Sequence, residues 1–122
     1  MTNKKDSVMI DGVEYAPKAG NAPAKSMKGM KYCIVRTYSA GVFAGYVEKR
    51  EGKEGVIRQA RRLWKWSGAA SLSQLAVDGV ANPSDCKFPC EVESTELTEI
   101  IEVIPCTKKA QESINSVTIW KM

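Results

Sequence analysis

Histidine is absent from these 122 residues. With it goes the side chain that most often moves protons near neutral pH and most often joins cysteine in zinc sites. Also missing is any apolar run near the ~18–20 residues that a membrane-crossing helix needs. The first residues, Met1 to Asp6, are polar and carry no apolar h-region. The expectation is a protein without a secretory signal, cytoplasmic, with no membrane partner. Cysteine is sparse: Cys33, Cys86, Cys90 and Cys106. A disulfide framework is not expected in that compartment. Cys86 and Cys90 are spaced C-x3-C, but no second close pair accompanies them, so neither a metal site nor a cofactor is expected. Cys33 and Cys106 lie in apolar runs and read as small core residues.

No cysteine has an evident general base beside it in sequence, and Glu91, Glu93, Glu99 and Glu102 read as solvated strand faces. An enzyme is therefore not expected.

What is present fits one domain. The apolar fraction of 43% can build a core, and the charged fraction of 26% suits a globular protein. Charge is unevenly placed. From Lys31 to Trp66 nine basic residues face three acids, whereas from Asp85 to Pro105 six acids face one base. The basic segment can attract phosphates or an acidic partner. Alternatively, the two segments neutralise each other across one sheet.

Residues 1–29 read as an N-terminal arm and linker. Val8–Tyr15 holds an Asp11-Gly12 turn between apolar residues, a hairpin signal, and Lys18–Gly29 is small, polar and turn-rich. Residues 30–122 read as a single α+β domain: a small antiparallel β-meander, barrel-like, with one or two short helices. Tyr32–Tyr38, Val42–Glu48 and Val56 to about Trp66 are β-branched and aromatic, with short turns between them. Ser71 and Gln74 have capping-box spacing, and Gly79 suits the helix end. Phe88–Val92 and Leu97–Ile104 read as further strands, and Pro105 ends the second. Thr107 caps a last helix running to Ile114, and Val117–Trp120 reads as a closing strand.

The stretch most suggestive of chemistry is Arg58-Gln59-Ala60-Arg61-Arg62-Leu63-Trp64-Lys65-Trp66. Strict alternation in a strand places Arg58, Arg62, Trp64 and Trp66 on one face, and Ile57, Arg61, Leu63 and Lys65 on the other. Guanidinium grips phosphate bidentately and indole stacks on a base, so the row suits a nucleotide. The competing reading makes both tryptophans core or interface anchors. Next comes a small-residue turn, Ser67-Gly68-Ala69-Ala70, and a helix start bearing Ser71, Ser73 and Gln74. Free amides and the helix dipole there suit an anion, although no P-loop pattern is present. The candidate ligand-binding residues are thus Arg58, Arg61, Arg62, Trp64, Trp66, Ser67, Ser71, Ser73 and Gln74.

The run Ala60-Arg61-Arg62-Leu63-Trp64-Lys65-Trp66-Ser67-Gly68-Ala69-Ala70-Ser71-Leu72-Ser73-Gln74-Leu75-Ala76, with Met30-Lys31-Tyr32, Arg36–Val42, Cys86-Lys87-Phe88 and Ile104–Thr107, resembles a family of small phage and prophage proteins. These carry a domain of unknown function. The resemblance spans about residues 30–121, and this chain has Lys65 where the family often has tyrosine. By analogy of setting, a phage origin implies a non-enzymatic anti-defence protein. One form is an oligomeric sponge that sequesters an anionic nucleotide immune signal. A nucleic-acid-binding accessory protein and a protein–protein inhibitor of a host defence factor are the alternatives. Self-association is expected, since three tryptophans and an appended arm leave surface for an interface.

Overall fold

The computed structural model describes residues 8–10, 13–15 and 22–121. Strands β1 (Val8–Ile10) and β2 (Val13–Tyr15) pair antiparallel, Ile10 against Val13. The Asp11-Gly12 turn expected between them lies outside the described residues, as does the start of the expected linker. Residues 22–29, however, are not free linker. The Ala24 N–H donates to the Cys106 carbonyl, the Lys108 N–H donates to the Ala22 carbonyl, and Ala24 packs into the core.

The main sheet holds β3 (Lys31–Thr37), β4 (Val42–Glu51), β5 (Glu54–Arg62), β6 (Glu91–Leu97) and β7 (Ile100–Pro105), all antiparallel. Its order is β6-β5-β4-β3-β7. The expected meander β3-β4-β5 is therefore present, and β6 and β7 flank it. These two outermost strands are consecutive in the chain, joined only by Thr98 and Glu99. Three peptide units reach at most about 11 Å, whereas the outer strands of a flat five-stranded sheet lie about 19 Å apart. The sheet must therefore curl. It does not close: β6 and β7 are not paired with each other, so the barrel-like expectation is corrected to a curled open sheet.

Curling gives each face its own core. Inside the curl, Cys33, Val35, Phe43, Ile57, Ala60, Leu97 and Ile100 bury one another. Room there is short. A Cβ on Gly45 would sit 2.6 Å from Ile57 Cγ2, so only glycine fits. On the other face, Tyr32, Ile34, Ala44, Leu63 and Phe88 receive helices α1 (Leu72–Asp78) and α2 (Lys108–Ser116). Helix α1 contributes Leu75 and Ala76, and α2 contributes Ala110 and Ile114, one turn apart on the same side. Both caps follow the expected residues: Ser71 Oγ accepts from the Gln74 N–H, and Thr107 Oγ1 from the Ala110 N–H.

Three element boundaries differ from expectation. The strand expected over Leu97–Ile104 breaks at Thr98-Glu99, and β6 occupies Glu91–Leu97. Residues 83–85 form a single 3-10 turn, with Pro83 at its start. The closing strand at Val117–Trp120 is reduced to one parallel bridge, Ile119 against Phe88. Among the described residues, no helix is long and apolar enough to cross a membrane.

Candidate functional site

The expected face-sharing in β5 fails because alternation is broken twice. Gln59 adopts φ 51°, the left-handed region. Around it, β5 spends three steps (Arg58 to Arg61) against two on β4 (Tyr46 to Ala44). This is a β-bulge. It leaves Ile57 and Ala60, three apart, both inside the curl. Beyond it, Arg61 and Leu63 turn toward the helices and Arg62 turns away. Ile57 therefore does not share a face with Arg61 and Leu63, nor Arg58 with Arg62.

A second bulge follows. The Trp64 and Lys65 N–H groups both donate to the Lys87 carbonyl, at 3.1 and 3.2 Å, and the Lys87 N–H donates back to Lys65 at 2.7 Å. Leu63 and Trp66 both pack on the helix-side core, again three apart. Trp64 and Lys65 consequently project together to the outside. Trp66 does not join Trp64's face as expected, though its edge still borders the same groove.

These two resets decide the fate of each predicted site residue. Arg61 is 6% exposed. Its Nε donates to Pro89 O, Nη1 to Ile114 O, and Nη2 to Phe88 O and Val117 O, at 2.7–3.1 Å. Its guanidinium carbon lies 5.4 Å from the centre of the Phe88 ring. Burial lowers its pKa, partly offset by Tyr32 and Glu91. An arginine so engaged ties the sheet to the end of α2 and has no free fork for phosphate. Arg58 forms exposed ion pairs with Glu48 at 3.6 Å and Glu93 at 3.7 Å, and Arg36 pairs with Glu102 at 3.5 Å. Through Glu93 and Glu102 the acidic segment does meet the basic one, each pair being worth little in water.

The helix-start residues also turn inward on the protein. Ser67 Oγ accepts from Asn82 Nδ2 at 3.1 Å. Gln74 Oε1 accepts from the Ala70 N–H at 2.7 Å, and Ser71 is the cap. Helix α1 has seven residues, and its side-chain caps take the Gln74 and Ala70 N–H groups. Of the four residues expected to face an anion there, Ser67, Ser71 and Gln74 make hydrogen bonds within the protein, and Ser73 is exposed. Gly68, at φ 93°, is held there by the close passage of Ala81.

Arg62 and Trp64 remain. Trp64 is 64% exposed, so its indole is not part of the core. Arg62 is exposed, and its guanidinium carbon lies 4.7 Å from the centre of the Phe43 ring. Together with Trp66 and the Ser39-Ala40-Gly41 turn they line an open groove of about 240 Å³. Sequence reasoning missed two neighbours on this surface. Lys87 projects outward because Cys86 and Phe88 on either side of it are buried among the helix-side residues. Its Nζ lies 5.5 Å from the centre of the Trp120 ring. The in-out-in pattern of Cys86-Lys87-Phe88 could have shown Lys87 facing out, but its pairing with Lys65 is a tertiary fact. Among the described residues, Arg62, Lys65 and Lys87 form no ion pair with an acid.

The chain belongs to the family described as a domain of unknown function, DUF6948, which matches residues 30–114. No curated protein and no solved structure matches it.

Proposed function

We propose that this chain is a non-enzymatic binding protein whose ligand is an anionic nucleotide, gripped at the Arg62–Trp64 groove. The observation carrying this reading is the exposed indole of Trp64 beside Arg62, an exposed residue that forms no ion pair among the described residues. A surface tryptophan left this open supplies a stacking plane, and the arginine supplies a phosphate fork. The groove's other wall is the Ser39-Ala40-Gly41 turn, and its size suits one nucleotide unit. Two ligand forms share this chemistry: a free nucleotide signal, which would make the protein a sponge, and a nucleotide within a strand. The phage setting implied by the resemblance at residues 60–76 supports either form, with the host cytoplasm as the compartment.

Titration calorimetry with linear and cyclic mono- and dinucleotides tests the reading. Binding is expected, lost in Arg62→Glu and weakened about 5- to 150-fold in Trp64→Ala, the span of one stacked base. Both variants should keep the wild-type circular dichroism spectrum. A folded Arg62→Glu protein with wild-type affinity would remove the groove from consideration. A wild type that binds no nucleotide would return the protein-inhibitor alternative to first place.

A further inference from the structure

The surface beside the groove carries more cation and more aromatic face than one nucleotide can use. Lys65 and Lys87 are direct cross-strand neighbours. Like charges in that arrangement repel, and among the described residues no acid pairs with either. A fold has no structural reason to keep such a pair, whereas a polyanion lying across it gains from both charges. Next to it stands a second indole, Trp120, 37% exposed with the Lys87 ammonium near its ring. The bulge at Trp64 and Lys65 turns both side chains to the side that Lys87 also faces. Cation and indole therefore alternate across one surface: Arg62 and Trp64, then Lys65 and Lys87, then Trp120.

Resting on the nucleotide reading above, we infer that the ligand is single-stranded nucleic acid. One base stacks on Trp64, a later base stacks on Trp120, and the backbone between them crosses the Lys65–Lys87 pair. Such interleaving of stacking faces with phosphate-binding cations is how sequence-tolerant single-strand binders work. An open groove admits a strand entering and leaving, which a closed pocket would not. Duplex is disfavoured, because its bases are already stacked and cannot reach either indole.

Fluorescence anisotropy with labelled oligothymidylates of two to twelve nucleotides, beside calorimetry on thymidine monophosphate, tests the inference. Affinity should rise at least about tenfold from mononucleotide to a short oligomer, then level off. With three cations engaged, log K should fall against log salt with slope about −2. Lys87→Glu and the milder Lys87→Gln should both weaken oligomer binding and leave mononucleotide affinity unchanged. Trp120→Ala should weaken the oligomer about 5- to 150-fold. Neither lysine variant should lower the thermal midpoint, since each relieves a repulsion. Oligomers bound no more tightly than the mononucleotide would overturn this inference and leave the groove reading standing. So would a duplex of equal length bound as well as the single strand. If neither mononucleotide nor oligomer binds, both readings fall together.

Discussion

Arg61 and Arg62 are adjacent, identical in chemistry, and opposite in use. On the helix side, Arg61 is buried and shares its donors among four backbone carbonyls from two distant segments. On the face away from the helices, Arg62 is exposed and lays its guanidinium over the Phe43 ring. The difference lies in the surroundings. Pro89 and Phe88 precede β6, while Ile114 and Val117 lie at the end of α2, and their carbonyls converge on Arg61. The Phe88 carbonyl also accepts from the Trp120 N–H and the Ile114 carbonyl from the Val117 N–H, whereas the Pro89 and Val117 carbonyls take their donors from Arg61. A buried carbonyl without a donor is costly, and one guanidinium answers both. Among the described residues Arg62, Lys65 and Lys87 form no ion pair with an acid. A basic run thus divides into structural and available members according to which backbone groups lack partners nearby.

The widest way to break this comparison is Arg61→Ala. It should cost about 3–5 kcal/mol in urea unfolding, because the Pro89 and Val117 carbonyls lose their Arg61 donors and a buried side chain is removed at once. A loss below about 1 kcal/mol would mean that Arg61 is no more structural than its neighbour. Alkaline pH probes the inner side next. Burial pushes the Cys106 thiol up from 9.0 to about 12, and Tyr32 is raised for the same first cause. Stability from the neutral thiol is complete below pH 9 and is lost as pH climbs toward 12. The slope from this one thiol is at most about 1.4 kcal/mol per pH unit. Unfolding followed from pH 8 to 11 should show this decline, and Cys106→Ala should reduce it, leaving the share of Tyr32 and Cys33. The smallest effects lie on the outer side and at the bulge. Gln59→Gly should raise stability by up to about 1 kcal/mol, since glycine holds φ 51° without a Cβ penalty. Trp64→Ala should change stability by less than about 1 kcal/mol, because its indole is mostly in water. A large loss there would make Trp64 an anchor and erase the contrast.

Much of the fold was legible in residue patterns. The strands around Tyr32–Thr37 and Val42–Glu48 stand out by β-branched and aromatic content, and Ser71, Gln74 and Thr107 marked the two helices through local cap chemistry. Less legible was the strand break at Thr98-Glu99. In Glu91–Leu97 only Leu97 is buried, because β6 is an exposed edge, so the strand leaves almost no alternation to read before its end. The site was half legible. Composition singled out Arg62 and Trp64, but strict alternation misplaced Arg58, Arg61 and Trp66. Bulges at Gln59 and at Trp64-Lys65 depend on partner strands, and nothing in the local sequence announces them. Lys87 and Trp120 were out of reach for the same reason: their neighbours come from opposite ends of the domain.

The two-residue link between β6 and β7 has a consequence for assembly. The hairpins from β3 to β5 involve only near neighbours along the chain and can form early. The outer strands cannot be added one at a time with equal freedom. Once β6 settles on β5, Thr98 and Glu99 deliver β7 to the far side beside β3; if β7 settles first, the same short link hauls β6 into place. Whichever docks first bears most of the entropy of closing the long intervening loop, and the second follows at little additional loss. The two margins of the sheet therefore behave as one kinetic unit, a clasp that fastens in a single step.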